Sequence, residues 1–248
     1  MEELEQIVLE VLAQKSGVQV KELETLTMRA LGRPIDSSAY KDALSSLQAR
    51  KLLSLSGSDI RRTEPDFPER LLETPVEQFL SSKDAFSYLR LEADFTVWQR
   101  TARGGRAGTG IWSRPDFTIA TIRRRKYDPV RHLDLIALEL KNLAGSTVVA
   151  VHEALAHARF AHYAYLVCPR SVMTVGIHTA IEDSCLQHGV GLITFETSVG
   201  PNDTPSLTNF EFEVDARRQS PEPDAVDNYI DDRLDDENRA RLMKIAAG

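Results

Sequence analysis

Arg114-Pro115-Asp116-Phe117-Thr118-Ile119-Ala120-Thr121-Ile122-Arg123-Arg124-Arg125-Lys126-Tyr127-Asp128-Pro129-Val130-Arg131-His132-Leu133-Asp134-Leu135-Ile136-Ala137-Leu138-Glu139-Leu140-Lys141 holds two apolar runs separated by a basic turn. Side chains alternate faces along a strand, so Phe117, Ile119 and Thr121 share one face of the first run while Asp116, Thr118 and Ala120 share the other. In the second run, Leu133 to Lys141, Glu139 and Lys141 stand two residues apart on one face. Pairing the runs as a hairpin around residues 123–129 brings Asp116 near Glu139. Two carboxylates there could share a hard divalent ion, and oxygen ligands with open water positions suit Mg²⁺ or Mn²⁺. Lys141 would hold the attacking water or, if its surroundings lower its pKa, help to deprotonate it. Such a trio points to metal-assisted phosphodiester cleavage. The competing account makes Asp116 and Glu139 solvated strand-end carboxylates, with Lys141 paired to one of them.

Pro115-Asp116, a gap to Glu139, one residue and then Lys141 resembles the PD-(D/E)xK nuclease superfamily, the fold of many restriction enzymes and recombination nucleases. The surrounding order also resembles that family's core of helix, three strands, helix and strand. The resemblance implies an α/β fold, a mixed sheet flanked by helices. It implies that Asp116, Glu139 and the Leu140 backbone carbonyl hold the metal, with Lys141 as water-positioning base or electrostatic partner. In this family the first helix often supplies a further acid, for which Glu77 is the nearest match; the alternative is a first-turn carboxylate facing the helix dipole. A glutamine and an aromatic often follow on the later helix, and here His157 stands near the glutamine position. Family members commonly act as dimers, an analogy that makes a homodimer an expectation.

Charge supports a polyanionic partner locally and not globally. The chain carries a net −7, yet residues 100–131 hold nine Lys/Arg against two acids. A basic stretch inside an acidic protein prefers phosphates, although a solvated hairpin tip would look the same. The candidate contacts are Arg100, Arg103, Arg106, Arg114, Arg123, Arg124, Arg125 and Lys126. Arg103-Gly104-Gly105-Arg106-Ala107-Gly108-Thr109-Gly110 lacks the Gly-Lys-Ser/Thr ending of a nucleotide-binding loop and suits a basic loop on a nucleic-acid backbone. DNA is expected from the resemblance and the N-terminal unit; a basic patch alone does not separate it from RNA.

With 248 residues, 42% hydrophobic and 27% charged, the chain has room for one domain and a smaller one. Residues 1–64 pattern as three helices and a hairpin: a stripe from Leu4 to Leu12, a second from Val20 to Ala30, a third opening at Asp36-Ser37-Ser38, then Leu52–Leu55 and Ile60–Thr63. This order resembles a winged helix-turn-helix. Its third helix would present Ser38, Lys41, Ser45 and Gln48, with Arg61 and Arg62 on the wing. Nine Lys/Arg against ten Asp/Glu in the unit leave a dimerisation or partner-docking role equally open.

Residues 65–69 are the expected linker and 70–215 the nuclease-like domain, with a helix starting at Thr74-Pro75 and a first strand over 91–100. A helix from Gly145-Ser146-Thr147 through His162, the strand 163–168, a helix over 172–188 and the strand 191–195 follow. Residues 216–248, with eight acids and six bases, are expected to form an exposed tail with one helix from Tyr229 to Ala246.

Cys168 and Cys185 have no CxxC partner, and both are expected to pack as small apolar residues. His152, His157 and His162 recur every five residues, so on a helix they do not share a face and a zinc site is not expected. No run is long and apolar enough to span a bilayer, and the acidic start Met1-Glu2-Glu3 is unlike a secretory signal, so the expected compartment is the cytoplasm. The expected activity is Mg²⁺- or Mn²⁺-dependent endonucleolytic hydrolysis of DNA. The alternative is a non-cleaving DNA-binding or adaptor protein that keeps a nuclease-like fold.

Overall fold

A computed structural model describes residues 4–5, 7–8, 11–12, 18–49, 53–56, 59–62, 67–82, 85, 95–102, 114–170, 175–200 and 204–247, with residues 55, 56, 61, 62, 125, 128, 129, 175 and 247 described by backbone alone. The expected linker residues 65 and 66, the strand start at 91–94 and the glycine-rich loop with Arg103 and Arg106 lie outside the described residues.

Near the N-terminus, β1 (Val18–Gln19) leads into α1 (Val20–Leu31), and α2 (Ser37–Ala49) is followed by β2 (Leu53–Ser56) and β3 (Asp59–Arg62). Gly32, at φ +68°, ends α1 in the left-handed conformation that costs glycine least. At the start of α2, Asp36 Oδ2 accepts the Ala39 N–H at 2.9 Å. Three strands pair antiparallel in the order β1-β3-β2. Val8, Leu12, Val18, Leu23, Tyr40, Leu47, Leu53 and Ile60 fill a separate small core.

The larger sheet has six strands: β4 (Phe95–Arg100), β5 (Phe117–Arg125), β6 (Asp128–Leu140), β7 (Tyr163–Pro169), β8 (Gly191–Val199) and β9 (Pro205–Val214), paired in that order. Its centre, β6-β7-β8, is parallel; the outer pairs β4-β5, β5-β6 and β8-β9 are antiparallel. This is the expected mixed sheet flanked by helices. Parallel neighbours require crossovers, supplied by α4 (Val148–Leu155) and α5 (Val175–His188). One face packs Phe117, Ile119, Ile136 and Leu138 under Leu72, Val76 and Leu80 of α3 (Glu69–Ser81). On the other, Ala150, Val151 and Ala154 of α4 and Ile181 and Cys185 of α5 pack on Leu166, Cys168 and Leu192. Cys168 and Cys185 are both free and buried. Among the described residues no helix is long and apolar enough to cross a membrane.

Three expectations need correction. First, α3 begins at Glu69, within the expected linker, and runs through Pro75. An interior proline costs ~3 kcal/mol. Burying Leu72, Val76 and Leu80, each at most 1% exposed, contributes ~1.5–3 kcal/mol apiece, which outweighs it. Second, the helix expected to run through His162 stops at Leu155 and tightens into a 3₁₀ turn over Ala156–Arg159. Third, residues 216–248 are no exposed tail. They form α6 (Pro223–Arg233) and α7 (Asp236–Ala247); Val226 and Tyr229 of α6, Leu234 just after it and Leu242 of α7 bury Val97, Ala120, Ile122, Leu135, Ala137 and Phe160. Apart from the buried Arg233, their many charges lie on the outward side of amphipathic helices.

Candidate active site

β5 and β6 pair with Phe117 opposite Leu138, which sets Asp116 just before β5 beside the end of β6. Asp116 Oδ2 accepts the Leu140 N–H at 2.7 Å. Glu139 uses both oxygens: Oε1 lies 2.7 Å from Lys141 Nζ and Oε2 lies 2.9 Å from His157 Nε2. An ionised carboxylate only accepts, so Nε2 carries a proton; Nδ1 of this buried ring has no partner among the described residues. Lys141 Nζ is ringed by Glu139, by Glu153 Oε2 at 2.9 Å and by Glu69 Oε2 at 3.9 Å.

The electrostatics follow from this crowding. Burial first, then the Glu139 charge, pushes the Asp116 carboxyl up to about 7, against the pull of the Leu140 N–H and Lys141. Glu139 is also desolvated, but the His157 hydrogen bond and the charge and hydrogen bond of Lys141 override burial and hold it below the usual carboxylate range. Burial lifts Glu69, with Lys141 opposing. Burial would depress Lys141, yet Glu139, Glu153 and Glu69 together raise it above the ordinary lysine value. The expectation that Lys141 could deprotonate water therefore fails: its surroundings move the pKa the wrong way for a base. What remains is a fixed ammonium with hydrogen bonds to give.

The Pro115-Asp116 corner is held from the C-terminal helices. Thr101 Oγ1 donates to the Pro115 carbonyl at 2.8 Å, and the Thr101 and Ala102 N–H groups donate to the Asp116 carbonyl at 2.8 and 3.2 Å. Thr118 Oγ1 lies 3.0 Å from Thr101 Oγ1 and 2.6 Å from the Tyr229 hydroxyl. Each hydroxyl has one proton, and Thr101 spends its own on Pro115. Thr118 must then donate to Thr101, and Tyr229 to Thr118. Tyr229 is fixed in turn by stacking on Phe160, ring centroids 4.0 Å apart.

Asp116, Glu139 and Lys141 thus come together. Glu77 does not join them: it pairs with Arg100 Nη1 at 3.7 Å. Arg100 also pairs with Glu73 and its side chain is only 17% exposed, so it is an internal cation and not part of an outer basic face. Arg123 faces Asp134 Oδ2 at 3.6 Å; Lys41, Arg124 and Lys126 are exposed and Arg114 is half-buried. The side chains of Arg61, Arg62 and Arg125 are outside the described residues. The three spaced histidines separate, His157 to Glu139, His152 edge-on to His188, and His162 Nδ1 to the Leu135 N–H.

Sequence reasoning missed Glu69, Glu153 and Tyr229. Glu153 could have been found, since it precedes His157 by four residues, one helical turn. Glu69 was hidden by Pro75, and Tyr229 by a polar C-terminal composition.

A divalent cation fits the donor chemistry here in part. Partial burial and then the Glu139 charge raise the Asp116 carboxyl, the condition a hard cation relieves. Among the described residues, however, no three His, Cys, Asp or Glu side chains converge as a ready cage, so any site would be completed by backbone and water.

No protein-family model matches the chain, and no curated protein matches it. Two solved structures are similar to it in part: restriction endonuclease FokI, at 9% identity and TM-score 0.23, and FokI bound to DNA, at 10% identity and TM-score 0.23. Each comparison covers 77% of this chain but only 41% and 42% of the other, so this chain spans less than half of those proteins. At that TM-score the likeness carries no weight for function.

Proposed function

We propose that this chain is a metal-dependent deoxyribonuclease that hydrolyses phosphodiester bonds within DNA. The observation that carries the reading is the meeting of Asp116, Glu139 and Lys141 at one end of the β5–β6 hairpin, with the Asp116 proton affinity raised by burial and then by the Glu139 charge. Asp116, Glu139 and the Leu140 carbonyl would hold Mg²⁺ or Mn²⁺, which when bound supplies Lewis-acid polarisation and an activated water. The chain's own groups do the rest. His157 orients the Glu139 carboxylate, Tyr229 braces the Asp116 corner through two threonines, and Lys141 offers a permanent positive charge to a phosphate oxygen or water. Residues 1–64 act as a winged-helix-like module docking DNA or a partner, ahead of a nuclease unit to which α6 and α7 belong.

One observation favours a second reading, a DNA-binding or adaptor protein that does not cut. Both Glu139 oxygens are already engaged, by Lys141 and His157, and a metal would have to displace or share them. Incubation of the purified chain with plasmid, linear, single-stranded and branched DNA, in Mg²⁺, Mn²⁺ or EDTA, separates the two. Metal-dependent cleavage that Asp116→Ala and Glu139→Ala abolish is the expected result; binding without cleavage in every metal supports the second reading.

A further inference from the structure

Lys141 is gripped along its whole length. Its backbone N–H donates to the Val167 carbonyl of β7 at 2.9 Å, which fixes the root of the side chain. The turn after β6 presses on the stem: a Cβ added at Gly145 would lie 3.5 Å from Lys141 Cδ and 2.9 Å from Asn142 Oδ1, which itself accepts the Gly145 N–H at 2.9 Å. The head is shared. Glu139 Oε1 of β6 at 2.7 Å and Glu153 Oε2 of α4 at 2.9 Å are both within hydrogen-bond length of Nζ, while Glu69 Oε2 of α3 stands off at 3.9 Å.

Glu153 precedes His157 by one helical turn, so one side of the α4 segment serves both members of the Glu139–Lys141 pair. His157 Nε2 holds Glu139 Oε2 at 2.9 Å, and Glu153 holds the lysine. For the fold alone the second of these contacts does little. The Glu153 side chain is 34% exposed, and an ion pair that open to water adds little stability.

We propose that Glu153 is a positioning residue that receives the Lys141 ammonium when a divalent cation draws Glu139 away; this rests on the metal-binding part of the nuclease reading. A cation on Glu139 must share or displace one of its two partners. Lys141 carries the like charge, so Lys141 is the partner that gives way. Its side chain is only 14% exposed, and a cation that enclosed is costly without an anion beside it. Glu153 is that anion, already in place. The ammonium then changes hydrogen-bond partner without leaving the site, since its root and stem stay fixed, and it remains where a phosphate oxygen or water is to be met.

Calorimetric Mn²⁺ titrations of the full chain test this as a cycle of the parent, Glu153→Gln, Lys141→Ala and the double variant. Gln keeps the length and an oxygen and removes the charge. Glu153→Gln should weaken Mn²⁺ binding about tenfold, within the range for directly coupled side chains, and by less than about twofold in the Lys141→Ala background. Glu153→Asp keeps the charge with a shorter reach and should fall between parent and Gln. Glu69→Gln removes an equal charge that makes no hydrogen bond to the ammonium and should cost no more than about threefold. Equal losses in the parent and Lys141→Ala backgrounds would reduce Glu153 to a general electrostatic contribution and overturn the proposal. So would parent-like affinity in Glu153→Gln, a Glu69→Gln loss as large as that of Glu153→Gln, or no Mn²⁺ binding by the parent chain. Plasmid cleavage in Mn²⁺ is scored separately: a coupled cycle without cutting retires the nuclease reading and keeps the role of Glu153, and cutting with an additive cycle does the reverse.

Discussion

Replacing Asp116 with Asn should make the metal-free protein more stable at alkaline pH. In the folded chain the Asp116 carboxyl titrates at about 7 against an ordinary 3.8, because it is buried beside Glu139. Between these values the folded protein holds a proton that the unfolded chain has released, so stability falls as pH rises through that window, and the loss is complete above about 7. At ~1.4 kcal/mol per pH unit the ceiling is ~4 kcal/mol. Asp116 is partly open to solvent, so screening reduces the expected effect to ~2 kcal/mol. Asn keeps an oxygen for the Leu140 N–H and loses the charge. In EDTA, Asp116→Asn should exceed the parent chain by only ~0.5 kcal/mol at pH 4.5, just inside the window, and by ~2 kcal/mol at pH 8.5, about 4–8 °C in Tm for a chain of this size. Mn²⁺ should stabilise the parent at pH 8.5 and not the variant. Both tryptophans, Trp98 and Trp112, lie outside residues 1–64, so fluorescence-detected urea unfolding from pH 4.5 to 8.5 follows the sheet and not the N-terminal unit. Parallel pH profiles for the two proteins, or a variant weaker at pH 8.5, would refute the account of the site's electrostatics.

Lys141→Ala should abolish cleavage yet leave calorimetric Mn²⁺ affinity equal or tighter, since it removes the cation that competes for Glu139; an inactive variant that has lost Mn²⁺ binding counts against the role given to the ammonium. Tyr229→Phe deletes one hydroxyl and keeps the stack on Phe160, so it should cost about 1 kcal/mol and weaken Mn²⁺ binding several-fold. A double-mutant cycle with Thr118→Val should show the two coupled, and additivity would remove the relay. A chain ending at residue 215 should aggregate or bind a hydrophobic dye, because Ala120, Ile122, Leu135 and Phe160 lose their cover; a monodisperse, cooperatively unfolding product by size exclusion and melting would show that α6 and α7 are dispensable.

Period-2 alternation alone placed Glu139 on a strand, with Asp116 and Lys141 at strand ends that a hairpin brings together, because strand geometry is local and a buried face tolerates one register. The helices opened by Asp36 and closed by Gly32 were legible for the same reason: caps act within four residues. What crosses the chain was not legible. Pro75 disguised the start of α3 because the burial that outweighs it depends on Phe117 and Leu138, far along the sequence. The acidic C-terminal segment looked solvated because composition counts its charges and not the single face that covers Val97 and Phe160. Lys141 could be assigned a place and its neighbour Glu139 from spacing, but the ring of acids around it is completed by Glu153 and Glu69, brought to it from two helices. A side chain's position follows from the repeat of its own strand; its charge state follows from whatever other elements fold against it, and only the tertiary structure decided that.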